Sequence, residues 1–258
     1  MSVNVEKLKD LLGNVNIKSR FQDMLGTKSA GFMSSIISVV NSSQDLTACD
    51  PMSVVAAAAV AASLDLPINP SLSFAHIVPY SGRAQFQMGW RGFVQLGIRT
   101  DKYKTINASR VFEGEIKSYN HITGEMEFNL SGKKSSKIVG YVAYFKLLNG
   151  FEKYYYMTLE EVKAHGKKYS KIFDNPKGRW QLDFDLMGLK TVIKMLLSKY
   201  GILSIDMQKA ITHDQGVMKK DGSVEYIDVP LDQIEHKTDD APAQSDDSDV
   251  LKDLTAGK

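Results

Sequence analysis

The sequence predicts an α+β fold: a central antiparallel sheet built from hairpins, with a helical region before it and a long core helix after it. Apolar side chains recur at helical spacing through residues 1–65. Short alternating runs separated by turn residues follow from residue 66, and a helical repeat returns at residues 180–200. Helices at both ends of a run of hairpins favour α+β over alternating α/β units. We therefore expect an N-terminal helical region (1–65), an α+β core (66–230) and an acidic tail (231–258).

The N-terminal region is predicted to contain several helices. Asp50-Pro51 is typical of a helix start, because aspartate caps free amides and proline suits the first helical position. The alanine-rich stretch after it lets neighbouring backbones approach closely, so this helix is expected to be buried on most sides. Cys49 is the only cysteine, which excludes an intrachain disulfide and favours a reducing compartment. We interpret it as a small core or cap residue.

Three hairpins are predicted in the middle of the chain. Their turns are Pro79-Tyr80-Ser81-Gly82, Thr123-Gly124 and Asn149-Gly150. The Asn-Gly pair favours a two-residue type I′ turn, since both residues tolerate positive φ. A short helix at 90–98 and a strand at 104–112 lie between the first two turns. The tyrosine-rich third hairpin is expected to pack between layers or between subunits.

The C-terminal third returns to helices. Thr158 and Glu161 form a capping box that starts a short helix ending near Gly166. On a helix over 180–200, one broad face is predicted to be core, and Lys190 and Lys194 lie opposite it. The predicted core face comprises Leu182, Leu186, Leu189, Val192, Ile193, Leu196, Leu197 and Tyr200. Asp185 lies at its edge, which predicts pairing with a cation. A helix near 206–211 and a strand near 224–229 precede the tail, which lacks aromatics and is predicted to be disordered.

The charge distribution and the absence of several known motifs limit the classes of function that the sequence allows. The chain carries +2 and the tail −5, so residues 1–230 carry +7, which is typical of a protein with a polyanionic partner and equally of a solvated lysine-rich surface. There is no P-loop, no zinc-ligand spacing and no Gly-x-Ser-x-Gly elbow, so no cofactor and no catalytic site are expected. No apolar run reaches the roughly 20 residues that span a bilayer, so a cytoplasmic protein is expected. A Mg²⁺ nuclease built on Glu113, Glu115, Glu125 and Glu127 is the weaker alternative.

Two basic clusters suit single-stranded nucleic acid. Residues 163–199 carry nine basic and three acidic residues with aromatic rings interleaved, a pattern that tracks a backbone and stacks bases. A second cluster lies around the strand at 104–112. The candidate DNA contacts are Arg91, Lys102, Lys104, Asn107, Arg110, Phe112, Lys171, Lys190 and Lys194. The alternatives remain open: solvated lysines, a sheet edge guarded by charge, and aromatic rings such as Trp180 that belong to the core.

Four ordered motifs resemble the RecT family of phage single-strand DNA annealing proteins. They are Asp50-Pro51 with its alanine-rich helix, residues 66–70 with 77–80, Gly89-Trp90-Arg91-Gly92 with the four residues after it, and Trp180-x-x-Asp183-Phe184-Asp185-x-Met187-x-x-Lys190-Thr191. The resemblance implies a recombinase of a phage or prophage in a bacterial host that coats single-stranded DNA, anneals complementary strands without ATP and holds the annealed duplex intermediate. It also implies a homo-oligomer, either a ring or a helical filament, and an exonuclease partner encoded nearby.

The glycine run suggests a local role as well. Gly89 and Gly92 are expected to let the helix start close to the preceding hairpin, with amides that could meet a phosphate. Arg91 could contact DNA or a neighbouring subunit. A passive single-stranded DNA-binding protein and a self-assembling structural protein are the remaining alternatives. The acidic tail is expected to limit non-specific association or to recruit a protein.

Overall fold

The computed structural model describes residues 3–129, 131–176, 178–214, 216–218 and 224–226. It confirms the α+β class, with helices at both ends of a set of antiparallel strands. The predicted acidic tail at 231–258 and the last part of the strand predicted at 224–229 lie outside these residues.

The N-terminal region is a helical layer around a buried alanine-rich helix. Its helices are α1 (Val3–Gly13), α2 (Val15–Leu25), α3 (Ser29–Asn41), α4 (Gln44–Thr47) and α5 (Pro51–Ser63). The Asp50 side chain accepts the Ser53 amide and Pro51 opens α5, as predicted. Ala58 and Ala61 are fully buried where α5 meets α1 and the first hairpin, and Cys49 is a buried core residue. The small side chains therefore allow the close approach that the sequence predicts.

The first hairpin leads directly into the glycine motif. Strands β1 (Ala75–Tyr80) and β2 (Arg83–Met88) pair antiparallel, and helix α6 (Trp90–Ile98) follows. A Cβ at Gly89 would lie 2.0 Å from the Ser73 carbonyl oxygen, and one at Gly92 would lie 2.2 Å from the Phe74 carbonyl oxygen. Only glycine permits this approach. The predicted close start of the helix is therefore confirmed, although the two glycine amides donate to carbonyls within the protein and are not available to a phosphate.

A three-stranded antiparallel sheet forms the centre. Its order is β3 (Tyr103–Phe112), β6 (Ile138–Leu147), β7 (Glu152–Thr158). The hairpin of β4 (Ile116–Asn120) and β5 (Glu125–Phe128) packs on one face around Val111, Met126 and Val142. The tyrosine-rich hairpin of β6 and β7 thus lies between two layers, one of the two placements that the sequence predicts.

The turn between β6 and β7 differs from the predicted type I′ turn. Gly150 has positive φ, at 92°, but Asn149 does not. The Asn149 side chain instead accepts the amide of Phe151, and the Gly150 amide donates to the Leu147 carbonyl. Asparagine's ability to close a turn with its own side chain outweighs its tolerance of positive φ here.

The C-terminal part of the chain is mainly helical, and two of its helices pack on the central sheet. Its helices are α7 (Leu159–Tyr169), with the predicted capping box, α8 (Arg179–Leu182), α9 (Phe184–Tyr200) and α10 (Ile205–His213), followed by the strand pair β8 (Gly216–Met218) and β9 (Val224–Tyr226). Helix α9 contacts β3, β6 and β7, and its residues Leu189, Val192, Ile193, Leu196 and Leu197 are buried as predicted.

The single helix predicted over 180–200 is wrong at its start. The backbone leaves the helical conformation at Asp183, with φ −136° and ψ 49°, which separates α8 from α9. Leu182, Leu186 and Tyr200 are exposed by 63%, 39% and 42%, so they do not belong to the core face. Because of this break, Leu182 belongs to α8 and does not follow the helical spacing of the apolar residues in α9. Tyr200 is the last residue of the helix, and Leu186 lines an open cleft.

Candidate nucleic-acid groove

A cleft of about 370 Å³ brings together residues from four separate segments. It lies where the start of α6 meets β3 and α9. The lining residues are Ser71, Ser73, Trp90, Arg91, Ala108, Ser109, Arg110, Phe112, Leu186 and Leu189. Three of the predicted DNA contacts, Arg91, Arg110 and Phe112, are therefore neighbours in space although they come from different elements.

One further cavity adjoins this cleft, and a third cavity adjoins the second. A small one of about 40 Å³ shares Ser73, Trp90 and Leu186 with it and adds Arg179. A larger one of about 360 Å³ shares Arg179 with the small one and is also lined by Leu182. We call the three cavities together the groove. Its lining combines apolar side chains (Trp90, Phe112, Trp180, Leu182, Leu186) with three arginines (Arg91, Arg110, Arg179), Lys190 at the small cavity, and the carboxylates Asp45 and Asp183.

The arginines of the groove differ in their partners. The Arg91 guanidinium lies 5.5 Å from the centroid of the Trp90 ring, and it forms no ion pair with any carboxylate of the described residues. Arg110 Nη2 instead lies 2.9 Å from Asp185 Oδ2, and Arg179 Nη1 lies 2.6 Å from Asp183 Oδ2. The predicted pairing of Asp185 with a cation is thus confirmed. Arg91 contributes an uncompensated positive charge to the groove, whereas the other two arginines are paired.

A buried tyrosine holds Asp185. The Tyr141 hydroxyl donates to Asp185 Oδ1 at 2.5 Å, and the Tyr141 side chain is completely buried. Burial raises the pKa of Tyr141, and the hydrogen bond to Asp185 raises it further. The hydroxyl therefore remains a donor at neutral pH.

The aromatic rings divide between groove and core. Trp90 and Phe112 are half-buried groove residues, and Lys133 Nζ lies 3.5 Å from the centroid of the Phe112 ring. Phe173 and Trp180 are buried against each other. Phe173 and Trp180 therefore do not form a stacking surface, the alternative that the sequence left open for Trp180, although Trp180 also lines the larger cavity. Tyr169, another ring among the basic residues at 163–199, is half-buried.

Lys190 and Lys194 are not exposed as the sequence predicts. Lys190 is only 5% exposed, and its Nζ lies 2.8 Å from Asp214 Oδ1, while Lys194 Nζ lies 2.9 Å from Asp214 Oδ2. Asp214 Oδ1 also accepts the Met88 amide, at 2.9 Å. The helical repeat places both lysines on one face of the helix, but it carries no information about the carboxylate at the end of α10 that covers that face. We call these three side chains the lysine clasp. A DNA-binding role for its lysines stays a prediction.

Burial would raise the pKa of Asp214, but the two ammonium groups outweigh it and hold the pKa below its usual range. The Asp214 carboxylate is therefore ionised at neutral pH.

The remaining predicted contacts lie elsewhere. Lys102, Lys104 and Asn107 are exposed before and along β3 and do not line the groove, and Lys171 is exposed in the turn after α7. Sequence reasoning did not propose Trp90, Leu186 or Arg179 as contacts. Trp90 belongs to the Gly89-Trp90-Arg91-Gly92 motif and Arg179 directly precedes the motif that begins at Trp180, so their position beside these motifs could have identified them as candidate contacts. Leu186 was assigned to the core because its position fits the helical repeat.

The carboxylates of the nuclease alternative each have a local partner. Glu115 accepts the Phe112 amide, Glu113 accepts the Ser135 hydroxyl, and Glu127 pairs with Lys117 at 2.9 Å. Within the described residues, no three side chains of the kind that bind metals come together. The same residues contain no helix that is long and apolar enough to cross a bilayer.

Comparisons with known proteins agree with the resemblance. The model of the RecT family matches residues 30–228. Protein YqaK of Bacillus subtilis (strain 168) is 46% identical over 222 residues, which cover 86% of this chain and 75% of YqaK. Protein RecT of Escherichia coli (strain K12) is 28% identical over 176 residues, which cover 65% of this chain and 64% of that protein.

Proposed function

The chain belongs to the RecT family, and on that premise we propose that it binds single-stranded DNA in the groove and anneals complementary strands without ATP. Family membership itself supports a single-strand annealing protein of recombination. The annealed duplex is then the intermediate that the protein holds, and a homo-oligomer, as a ring or a helical filament, is the acting species. We further propose a phage or prophage origin, an exonuclease partner that generates the single strands, and action in the bacterial cytoplasm.

The observation that carries the proposal is the meeting of Arg91, Arg110 and Phe112 with Trp90 in one cleft. Guanidinium groups bind phosphate and acceptor atoms of a strand, and rings stack on bases of any sequence. Leu186 adds an apolar surface beside them. A surface of this composition binds a single strand without reading its sequence, which an annealing protein requires because it must accept any pair of complementary strands.

Mixing two complementary oligonucleotides that carry a fluorophore and a quencher tests the proposal. With the protein present and no nucleotide added, duplex formation should be faster than in buffer, and binding should weaken as salt rises because counterions are released. Tight binding with slowed annealing would instead identify a passive single-stranded DNA-binding protein. No acceleration at any protein concentration would refute the annealing function.

Arg91→Ala tests whether the groove is the DNA site. Arg20→Ala is the matched control, since it removes the same charge from an exposed position on α2. We expect Arg91→Ala to reduce the magnitude of the slope of log affinity against log salt by about 0.7, the value for one phosphate contact on a single strand. Arg20→Ala should leave the slope unchanged. A change in oligomer size at constant DNA affinity would assign Arg91 to a subunit contact instead.

A further inference from the structure

The segment Asp183-Phe184-Asp185 supplies a carboxylate to each of two groove arginines. Asp183 pairs with Arg179, and Asp185 pairs with Arg110. Between them, the Phe184 ring packs against core aromatics, with its centroid 5.8 Å from that of Trp180 and 6.2 Å from that of Tyr141. The backbone of this segment is thereby anchored, so the two carboxylates are held at fixed places beside the groove.

Asp185 bridges a cross-strand pair. Arg110 in β3 and Tyr141 in β6 are directly opposite in the sheet register, and each contacts a different oxygen of the same carboxylate. Because Tyr141 is fully buried, its hydroxyl fixes the carboxylate. The carboxylate in turn fixes the half-exposed Arg110 guanidinium, which would otherwise sample many rotamers. In this arrangement the orientation of the Arg110 guanidinium is determined by Asp185.

Pairing also changes what Arg110 offers to a strand. A guanidinium has five N–H donors, and the salt bridge to Asp185 uses only part of them. The remaining donors can still reach an oxygen or nitrogen acceptor of DNA. The net charge of the pair is near zero, however, so it neutralises no phosphate and releases no counterion. Arg91, with no carboxylate partner among the described residues, is the opposite case.

We propose that Asp185 is a positioning residue that keeps Arg110 in the groove as an oriented hydrogen-bond donor without net charge, and not as a phosphate counter-ion. The proposal rests on the proposed function, because it assigns how one residue of that groove meets the strand. Arg110 then contributes to affinity in a manner that is nearly independent of salt, whereas Arg91 supplies the salt-dependent part.

Salt titrations of single-stranded DNA binding test this with full-length variants. Asp185→Asn keeps an oxygen that can accept from Tyr141 but frees Arg110 as a net cation. We expect the slope of log affinity against log salt to steepen by about 0.7, so that affinity falls about 2.6-fold further between about 50 and about 200 mM salt. The double variant Arg110→Met with Asp185→Asn removes both charges and should restore the wild-type slope.

Asp10→Asn is the matched control, because it removes the same negative charge from an exposed position on α1, which packs against α2, α3 and α5. Its slope should equal that of the wild type. Circular dichroism verifies that each variant is folded, and Asp185→Ser replaces Asp185→Asn if the latter unfolds at the assay temperature.

An unchanged slope in a folded Asp185 variant would overturn the proposal, and a slope that steepens equally in Asp10→Asn would reduce it to a long-range charge effect. Wild-type protein that fails to bind single-stranded DNA would overturn the proposed function instead, so the two failures are distinguishable.

Discussion

The groove and the lysine clasp contain the same kinds of residue and use them in different ways. In the groove, arginines lie at the surface of an open cleft beside Trp90 and Phe112. In the clasp, Lys190 and Lys194 enclose one carboxylate that is completely buried. Both regions are basic in sequence, and both were candidates for DNA contact. Their difference teaches that a basic residue's role depends on its burial and its partner more than on its charge.

The clasp has a clear structural effect. Asp214 joins the end of α10 to two turns of α9, and through the Met88 amide it also fixes the last residue of β2. Met88 directly precedes Gly89, and the groove residues Trp90 and Arg91 follow at the start of α6. The clasp thus fixes the backbone that leads into the groove. It also pairs two cations with a buried carboxylate, so that they are not exposed for binding.

Of the substitutions that test this comparison, Asp214→Ala should have the largest effect, on the stability of the fold. It leaves two lysines without their buried carboxylate, which is expected to lower the free energy of unfolding by about 3–5 kcal/mol. Urea unfolding followed by circular dichroism measures the loss. A loss below about 1 kcal/mol would contradict a structural role for the clasp.

The clasp also predicts a pH dependence. The pKa of Asp214 is lower in the folded protein than in the unfolded chain. The ionised carboxylate therefore contributes fully to the stability of the fold at pH values above its unfolded pKa of about 3.9. That contribution is lost as the pH falls through the lower folded value. Asp214→Ala should lack this part of the acid sensitivity, as measured by unfolding at a series of pH values.

Lys190→Met tests directly whether a clasp lysine meets DNA. Asp214 would still accept from Lys194 and from the Met88 amide, so we expect a smaller loss of stability, about 1.5–3 kcal/mol. The salt slope of DNA binding, measured where the variant is folded, should not change. A slope reduced by about 0.7 would break the comparison, because it would show that Lys190 leaves Asp214 and contacts phosphate.

Trp90→Ala tests the groove side and is expected to have the smallest effect. If the ring stacks on a base, its loss should weaken single-stranded DNA binding by about 1–3 kcal/mol with little change in the salt slope. Tyr119→Ala, which removes a partly exposed ring from β4, is the control and should bind DNA normally. Equal affinities of the two variants would exclude Trp90 as a stacking surface.

The sequence by itself determined most of the elements and most of the apolar core, but not the break at Asp183 that separates α8 from α9. Capping residues, the Ala-rich helix, the hairpin turns and the RecT motifs are local signals, in which a few neighbouring residues decide the backbone conformation. For the same reason the predicted boundaries of α6, 90–98, agree with the structure. The pairing of Asp185 with a cation was also predicted, because a carboxylate at the edge of an apolar face needs a partner.

Only the tertiary structure decided which basic residues are available. Asp214 lies 20 residues or more along the chain from both lysines that it holds, and Arg110 is brought to Asp185 by the packing of β3 against α9. A helical repeat shows which residues share a face, but the element that covers the face comes from a distant part of the chain. The role of each cation follows from that covering element, since burial and a neighbouring carboxylate change the free energy of a charge more than any local pattern does.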